Sequence, residues 1–443
     1  MNGIKVVKFG GSSLADANQF RKVADIILSD PNRRYVVPSA PGKRFSDDIK
    51  VTDMLYNCYS IASKGNDFTK EFEAIKDRYY SIIAELGLDL SLEKEFDVIR
   101  NCFIGRAGRD YAASRGEYLN GIILAKFIKF PFIDAADVIF FNDNGVFDAE
   151  KTDEVLSKKL SITERAVIPG FYGSMPNDTI KTFSRGGSDI TGSIVAHAAN
   201  ADIYENWTDV SGFLITDPRI VDDPKPITTI TYKELRELSY MGAGVLHEDA
   251  IFPVRKAGIP INIKNTNKPQ DPGTMIVEKA GTDDCKYVIT GIAGKIGFAS
   301  VTIEKDMMNS EKGFGRNVLE VFQKNGLSFE HMPSGIDTMS VILSKKEFEE
   351  KEEAVLSGLY RNVNPDHVEV DRDIALIAIV GRGMKSARGT AGRLFSALAH
   401  ARINIKMIDQ GSSELNIIVG VSEADFKKAV CAIYDIFVKT VED

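Results

Sequence analysis

The stretch IKVVKFGGSS, residues 4–13, joins a β-branched run to a pair of glycines. IKVVKF has the composition of a buried strand, and Gly10 and Gly11 follow it directly. Two adjacent glycines let the backbone approach an anion closely and leave N–H groups free to meet it. Lys8, at the mouth of the strand, adds a positive charge that suits a phosphate. The stretch therefore indicates an anion-binding loop, although a tight turn beside a solvated lysine would have the same sequence.

Working outward from this stretch, strand-like and helix-like segments alternate along the first two thirds of the chain. Strand-like runs occur at 34–40, 166–173, 201–207 and 260–265, and helical patterns occur at 22–29, 46–62, 68–86, 92–104, 110–128 and 231–242. This alternation predicts an α/β fold in which a mostly parallel sheet is sandwiched by helices. Ligands of such folds bind at the carboxyl ends of the strands, so the loops after the strands are the candidate site.

Three of these segments carry further chemistry. FSRGGSDITG (183–192) opens a helix with a second glycine pair, so a helix N-terminus would meet an anion beside Arg185; the alternative is that Ser188 or Asp189 is only an N-cap. Glu117 lies in a helical stretch, where an isolated glutamate is usually solvated. WTDVSGFLITDPR (207–219) suits a nucleotide-binding loop, and a plain surface loop is the alternative.

The last third of the chain repeats itself. Residues 299–343 align with 375–419 at an offset of 76 without a gap, and each copy has the pattern of a ferredoxin-like βαββαβ unit. The second copy lacks a last strand, which KYVITGIA (286–293) could supply if the first unit is inserted in the second. The expected domains are 1–280, 294–371, and 286–293 together with 372–443. VGRGMKSARG (380–389) is interpreted as a strand–helix turn of the repeat, because Ser386 replaces the third glycine of a dinucleotide fingerprint.

Composition excludes several classes of protein. The 443 residues carry a formal net charge of −8, which argues against a nucleic-acid surface. The four cysteines and five histidines form no zinc or redox motif, so we expect no metal centre held by protein ligands and a reducing compartment. No apolar stretch is long enough for a membrane span, and the first residues do not resemble a signal peptide. We expect a cytoplasmic, multidomain enzyme.

KFGGSS (8–13), SRGGSD (184–189), WTDVSGFLITDPR and the paired repeats together resemble aspartate kinase, an enzyme of the amino acid kinase fold with two ACT domains. FEHMPSGID (329–337) and GFGRNVL (313–319) resemble the lysine-sensitive monofunctional branch. The resemblance implies transfer of the ATP γ-phosphoryl group to the side-chain carboxylate of L-aspartate, the first step towards lysine, threonine and methionine. Mg²⁺ is inferred from the ATP chemistry. A carboxylate nucleophile with a pKa near 3.9 is already ionised at neutral pH and needs no general base.

The resemblance also implies roles for individual residues. Lys8 would meet the transferring phosphoryl group and Asp189 would orient Lys8; Glu117 would face the α-ammonium group and Arg185 the α-carboxylate. The implied substrate-binding residues are Thr52, Glu117, Arg185, Gly187 and Ser188. The implied ATP-binding residues are Lys8, Gly10, Gly11, Ser12, Thr208, Asp209, Asp217 and Arg219. One departure is Gly244 in MGAGVLHEDA (241–250), where family members often have a lysine; either the phosphates are contacted differently, or Lys256 or Lys264 compensates.

ACT units generally bind small amino acids, and lysine is the expected effector, with threonine or both as alternatives. The candidate contacts are Met308, Phe314, Asn317, Glu330, Ser334 and Asp337, which could instead only pack the repeat. The expected assembly is a homodimer through the ACT domains, with a tetramer as the alternative. Two rival functions remain: a kinase of the same fold with another acceptor, and a non-catalytic amino-acid sensor, which would tolerate loss of Lys8 and Arg185.

Overall fold

A computed structural model of the protein describes residues 3–184, 186–242, 252–281 and 286–441. The packing divides the chain into two compact units. Unit 1 comprises Met1–Phe213, Pro226–Tyr232 and Val245–Ala280, and unit 2 comprises Leu214–Lys225, Lys233–Gly244 and Gly281–Asp443. Unit 2 thus includes two segments that precede residue 280, where the sequence predicts the end of the first domain. The predicted domain boundaries remain predictions.

Unit 1 is built on a seven-stranded sheet. Its strands and those of a small hairpin are β1 (Lys5–Phe9), β2 (Arg33–Pro38), β3 (Ala166–Val167), β4 (Tyr172–Ser174), β5 (Ile180–Thr182), β6 (Ile203–Thr208), β7 (Thr229–Thr231), β8 (Ile261–Asn265) and β9 (Thr274–Val277). The sheet order is β3-β2-β1-β6-β8-β9-β7, and β4 lies outside this sheet, paired with β5 and, through Ser174, with Phe140. Every pair in the large sheet is parallel except β8 with β9. The prediction of a mostly parallel sheet is confirmed.

Helices surround this sheet and hold the polar residues of the candidate site. They are α1 (Ala17–Leu28), α2 (Val51–Ser63), α3 (Thr69–Glu85), α4 (Glu93–Ile104), α5 (Arg109–Ile128), α6 (Ala149–Ser161), α7 (Gly187–Ala198) and α9 (Phe252–Ala257). Helix α8 (Tyr232–Tyr240) belongs to unit 2 from Lys233 onward. Helix α5 is buried around most of its circumference, because α2, α3 and α4 pack against it. A charged residue in the middle of such a helix is removed from water, which is the setting of Glu117.

Unit 2 is built on a five-stranded antiparallel sheet of order β11-β10-β12-β14-β13. Its strands are β10 (Gly291–Glu304), β11 (Thr338–Ser344), β12 (His367–Val380), β13 (Met407–Asp409) and β14 (Asn416–Val421). Its further helices are α10 (Phe314–Lys324), α11 (Lys345–Glu349), α12 (Glu352–Asn362), α13 (Thr390–His400) and α14 (Phe426–Phe437). Helices α10 and α13 begin after Gly313 and Gly389, both at positive φ, and the two helices keep the offset of 76 that relates the repeats.

The two repeats share one sheet because β10 and β12 each run through both. Residues 291–295 of β10 pair with 376–380 of β12, whereas residues 298–304 pair with β11 and with the first half of β12. The strand that the sequence suggests at 286–293 begins at Gly291. In the part of the chain that the structure describes, no helix is both long enough and apolar enough to cross a bilayer.

A buried ion pair fixes helix α8 inside unit 2. The Glu234 side chain is fully buried and accepts hydrogen bonds from Arg382 Nη1 at 3.0 Å, from the Arg382 backbone N–H at 2.9 Å and from Thr290 Oγ1 at 2.6 Å. One turn further along α8, Glu237 Oε2 accepts a hydrogen bond from Asn416 Nδ2 at 2.6 Å. Arg382 belongs to the turn that the sequence interprets as part of the repeat, and this contact gives the turn its structural role.

Candidate active site

Lys8, Asp189 and Asn206 form a compact polar cluster at the centre of the unit 1 sheet. Strands β1 and β6 are parallel with Lys8 opposite Asn206, so both side chains point to the same face. Lys8 Nζ lies 2.6 Å from Asp189 Oδ1, and Asn206 Nδ2 donates to the same oxygen at 2.9 Å. Lys8 is only 7% exposed. The lysine is therefore held in place by a carboxylate from the first turn of α7 and is not a solvated side chain.

The first glycine pair lies against the loop that follows β2. The Gly42 N–H donates to the Gly11 carbonyl at 2.8 Å, and a Cβ on Gly11 would come within 2.8 Å of the Ala40 carbonyl oxygen. A side chain at Gly11 would therefore push the two loops apart. A Cβ on Gly10 would meet only Lys8 Nζ and the Trp207 carbonyl, at 3.7 and 3.6 Å. Because Gly10 has no side chain, an approaching phosphate would meet no Cβ beside the Lys8 ammonium group.

The second glycine pair sets the start of α7. Gly186 adopts a positive φ of 75° and α7 begins at Gly187 without a side-chain cap, so neither Ser188 nor Asp189 is an N-cap. A Cβ on Gly187 would lie 2.5 Å from the Phe171 ring, and one on Gly170 would lie 2.7 Å from Ser188 Oγ. The helix N-terminus is thus pressed against the backbone that follows β3. Arg185 lies outside the described residues.

Glu117 is a buried carboxyl group with one oxygen that lacks a partner. It is 6% exposed, and within the described residues Oε2 has no hydrogen-bond partner. Burial raises the pKa of Glu117 to about 8, although backbone N–H groups of Ala40 and of Glu117 itself and the charge of Arg115 act in the opposite direction. The sequence alternative of a solvated glutamate does not hold. A buried oxygen without a partner suits a cationic group of a ligand.

Thr52 lies near Gly116, the residue before Glu117 on α5. A Cβ built on Gly116 would lie 3.9 Å from Thr52 Oγ1 and 2.8 Å from the Ala40 Cβ, so the N-terminal turn of α2 and the middle of α5 meet at Ala40. Ala40 also faces Gly11. One short backbone segment after β2 therefore contacts both the glycine loop, through the Ala40 carbonyl, and Glu117, through the Ala40 N–H.

The raised pKa of Glu117 gives a pH dependence. If the Glu117 carboxylate pairs with the ammonium group of aspartate, binding requires the ionised form of Glu117. The ionised fraction of Glu117 increases about tenfold per pH unit below its pKa. We expect the KM for aspartate to fall as the pH rises from 6 to 8 and then to level off. Glu117→Gln should raise this KM at least tenfold and remove the pH dependence, whereas Glu73→Gln, at an exposed site on α3, should behave as wild type. A wild-type KM that is constant over this range contradicts the pairing.

The four residues assigned to the ATP site beyond the glycine loop fall into two pairs. Thr208 and Asp209 follow β6 in unit 1, with Thr208 Oγ1 3.2 Å from Asp209 Oδ1. Asp217 and Arg219 belong to unit 2 and form an ion pair at 2.6 Å, which lowers the pKa of Asp217. Arg219 is largely exposed. Thr208 and Asp209 thus belong to unit 1, and Asp217 and Arg219 belong to unit 2. A shared role of the four residues in ATP binding remains a prediction.

Of the residues considered as replacements for the missing lysine, Lys264 lies on the wrong face of the sheet. It is paired in register with Trp207, the neighbour of Asn206, so it points away from Lys8. Its ammonium group donates to the Asp271 carbonyl at 3.0 Å and lies 5.3 Å from the centre of the Trp207 ring. Burial lowers the pKa of Lys264. Gly244 lies outside the described residues.

The candidate effector residues all lie around the first repeat of unit 2. Met308 and Phe314 are buried in its apolar core, while Asn317 lies on α10. Ser334 and Asp337 are exposed on the segment before β11, where Asp337 Oδ1 accepts a hydrogen bond from the Met307 N–H at 3.0 Å. These placements leave the effector assignment a prediction.

Glu330 has a side-chain partner from helix α8. Its carboxylate accepts a hydrogen bond from the Tyr240 hydroxyl at the end of α8. This hydrogen bond, together with burial, raises the pKa of Tyr240 to about 12. A cation that binds Glu330 would therefore compete with the last residue of α8.

Sequence reasoning missed Asn206 and Asn120. Asn206 makes hydrogen bonds to both Lys8 and Asp189. Asn120 lies on the buried face of α5, and its Nδ2 donates to the Ser39 carbonyl at 2.7 Å. The available signal for Asn206 was a polar residue inside the apolar strand run ADIYENW; the signal for Asn120 was its spacing of three from Glu117 on one helix. Among the described residues, no group of three acidic, histidine or cysteine side chains could hold a metal ion.

Comparisons with known proteins agree with this geometry. A model of the amino acid kinase family matches residues 3–265, and a model of the ACT domain matches residues 377–437. Aspartokinase 3 of Bacillus subtilis is 40% identical over 449 residues, which cover 98% of each chain. The crystal structure of Clostridium acetobutylicum aspartate kinase is 53% identical, with a TM-score of 0.90, and the match covers 98% of this chain and 99% of that one.

Aspartokinase III of E. coli is a more distant structural relative. Its complex with aspartate and ADP, an R-state, is 26% identical with a TM-score of 0.72, and its complex with lysine and aspartate, a T-state, is 25% identical with a TM-score of 0.73. The matches cover 98% of this chain and 99% and 100% of those chains. On the family matches, the whole-length relatives and the site described above, this chain belongs to the amino acid kinase family and, within it, to the aspartate kinases that carry ACT domains.

Proposed function

We propose that this protein transfers the γ-phosphoryl group of ATP to the side-chain carboxylate of L-aspartate and forms 4-phospho-L-aspartate. This product would lead towards lysine, threonine and methionine. The observation that carries the proposal is that one segment after β2 contacts both parts of the site: the Ala40 carbonyl lies against the glycine loop next to Lys8, and the Ala40 N–H bonds to the buried Glu117. The first arrangement suits a phosphate and the second suits an α-ammonium group.

Charge neutralisation is the main task of such a site, because an anionic acceptor must approach a polyanion. Phosphoryl transfer depends on positioning and on cations that stabilise the charge of the transferring group. Lys8 would supply one of these charges, held in orientation by Asp189 and Asn206. The backbone N–H group of Gly11 and the N-terminus of α7 would supply further donors, whereas the Gly10 N–H is used by the Trp207 carbonyl. The aspartate carboxylate is ionised at neutral pH, so no side chain needs to remove a proton from it.

The acceptor would be recognised by its two α-substituents. Glu117 would pair with the ammonium group, and Thr52, Gly187 and Ser188 would line the space around the substrate. Arg185 would bind the α-carboxylate. Mg²⁺ would enter with the phosphates of ATP as part of the substrate.

The direct test is an aspartyl-hydroxamate assay on the purified full chain with ATP and Mg²⁺. Product with aspartate, and none with glutamate or N-acetylglutamate, is the expected result. Product with another acceptor would support the rival kinase of the same fold. No product with any acceptor, despite a folded protein, would favour the amino-acid sensor.

We further propose that lysine is the effector and binds unit 2 at the first repeat. The support is the lysine complex of E. coli aspartokinase III, together with an acidic side chain, Glu330, that could take an ammonium group. Threonine, alone or together with lysine, is the alternative. We also propose a homodimer formed through the ACT repeats, with a tetramer as the alternative, and a cytoplasmic location.

Two variants test whether Glu330 binds the effector. Because a hydrogen bond to a charged group contributes about 1.5–3 kcal/mol, Glu330→Ala should raise the lysine concentration for half-inhibition roughly tenfold or more. Tyr240→Phe removes the competing hydroxyl and keeps the carboxylate, so it should lower that concentration. The readout is hydroxamate formation against lysine. Unchanged inhibition in both variants would show that the effector does not use Glu330.

A further inference from the structure

Arg78, on helix α3, makes an unusual set of contacts outside the residues described so far. It is 5% exposed, and its Nη1 donates to Asp48 Oδ2 at 2.9 Å. Its Nη2 donates to two backbone carbonyls, Gly42 at 2.8 Å and Ala15 at 3.0 Å. One guanidinium group thus holds three points on two different loops.

Both loops belong to the candidate site. Ala15 lies four residues after Gly11, at the end of the glycine loop. Gly42 and Asp48 lie in the loop that follows β2, which reaches the glycine loop through the Gly42 N–H to Gly11 carbonyl hydrogen bond. A Cβ on Gly42 would lie 2.5 Å from the Gly11 carbonyl carbon, so the two backbones are in direct contact. Arg78 therefore holds the two loops together through the Ala15 and Gly42 carbonyls.

The segment held by Arg78 also leads to the acceptor side. Ser39 accepts the hydrogen bond from Asn120, and the Ala40 N–H bonds to Glu117. Gly42 is two residues further along. A shift of Gly42 would thus move the glycine loop, through Gly11, and the backbone partner of Glu117, through Ala40.

The charge of Arg78 is neutralised before it can act on a phosphate. Asp48 is its ion-pair partner and is itself bound by Arg44. Burial alone would raise the pKa of Asp48, but hydrogen bonds from the Arg44 backbone and side chain hold it below its usual value. What Arg78 offers is therefore geometry: a planar fork whose donors reach separate acceptors in fixed directions, which a lysine cannot reproduce.

We propose that Arg78 is a positioning residue for phosphoryl transfer. It sets the separation between the glycine loop and the segment 39–42 that follows β2, and hence the separation between the two substrates. The proposal rests on the aspartate kinase reaction proposed above. Reactions of this kind are sensitive to small displacements, because a misplacement of about 1 Å can lower the rate on the order of a hundredfold.

The test compares Arg78→Lys with Asp48→Asn and with a control, Arg100→Lys, at an exposed arginine on α4 that donates a hydrogen bond to Thr69 Oγ1 at 3.4 Å. We expect Arg78→Lys to lower kcat about 10- to 100-fold, with the KM values for ATP and aspartate changed less than about threefold. The ratio of ADP released to hydroxamate formed should rise, because a displaced acceptor lets water compete. Asp48→Asn keeps both carbonyl contacts and should lower kcat less. Arg100→Lys should match wild type.

Rates are expressed per folded molecule, with the folded fraction measured by circular dichroism. If Arg78→Lys lowers only the melting temperature and the folded enzyme turns over at the wild-type rate with an unchanged ratio, Arg78 is structural and the proposal is overturned. If Arg78→Lys does not fold, Asp48→Asn decides: an unchanged kcat and ratio overturn the proposal, and a lowered kcat with a raised ratio supports it. A wild-type chain that forms no product from aspartate overturns the proposed function, and the Arg78 proposal with it.

Discussion

Replacement of Lys8 with methionine should lower kcat about a thousandfold while the protein remains folded. A single preorganised donor to the charge of a transition state is worth on the order of a hundred- to a thousandfold in rate, and Lys8 provides a full charge at the mouth of β1. Methionine fills most of the lysine volume, and Asp189 keeps its hydrogen bond from Asn206, so the sheet and α7 should stay in place. Hydroxamate formation at saturating ATP and aspartate measures the effect.

The matched control is Lys22→Met on α1, where the exposed ammonium group contacts Asn267. It should keep wild-type turnover. Retention of more than a tenth of wild-type kcat by Lys8→Met, with normal circular dichroism, would refute the role of Lys8 in the transfer step. A loss of folding in Lys8→Met would instead be visible as a lower melting temperature, and Lys8→Gln would then be the variant to measure.

Replacement of Arg382 with methionine should produce the largest loss of stability. The variant removes the guanidinium group that donates to both oxygens of the fully buried Glu234 carboxylate. Breaking a buried ion pair by removing one partner costs about 3–5 kcal/mol, since the remaining charge loses its compensation. Unfolding in guanidinium chloride, followed on the full chain, should show this loss in the transition that reports unit 2.

Two further variants complete the comparison. Glu234→Gln combined with Arg382→Met removes both charges, so it should recover a large part of the lost stability. Arg372→Met breaks the partly exposed pair with Glu352, and should cost less than about 1 kcal/mol. If Arg382→Met is no more destabilising than Arg372→Met, the buried pair does not hold α8 as described.

The sequence predicted the sheet and the repeats well, because both leave periodic signals. The strand around ADIYENW and the helix after Arg185 appear at Ile203–Thr208 and Gly187–Ala198. The run at 166–173 was wrong as one strand, since it divides into β3 and β4 around Pro169 and Gly170. The Pro169–Gly170 dipeptide is a local turn signal that marks this break. The pairing of β4 with β5 in a separate hairpin has no such signal, because it depends on the fold.

The part of the site that depends on glycines was predictable from the sequence. The part whose properties depend on burial in the fold was less predictable. Gly10, Gly11 and Lys8 stand out as a motif, but the raised pKa of Glu117 arises only because α5 is enclosed by other helices. The sequence pattern of α5 gives no sign of that enclosure. Arg78 was missed for the same reason: its partners lie 30, 36 and 63 residues away, and only the folded chain brings them together.

The way α8 is fastened inside unit 2 matters for anyone who wishes to exchange regulatory regions between relatives. A chimaera joined at residue 280 would keep Glu234, Glu237 and Tyr240 from one parent and receive the positions of Arg382, Asn416 and Glu330 from the other. The two partners of each of these three contacts would then come from different parents. A successful hybrid must transplant α8 together with the repeats, so the recombination unit of this protein is discontinuous in sequence.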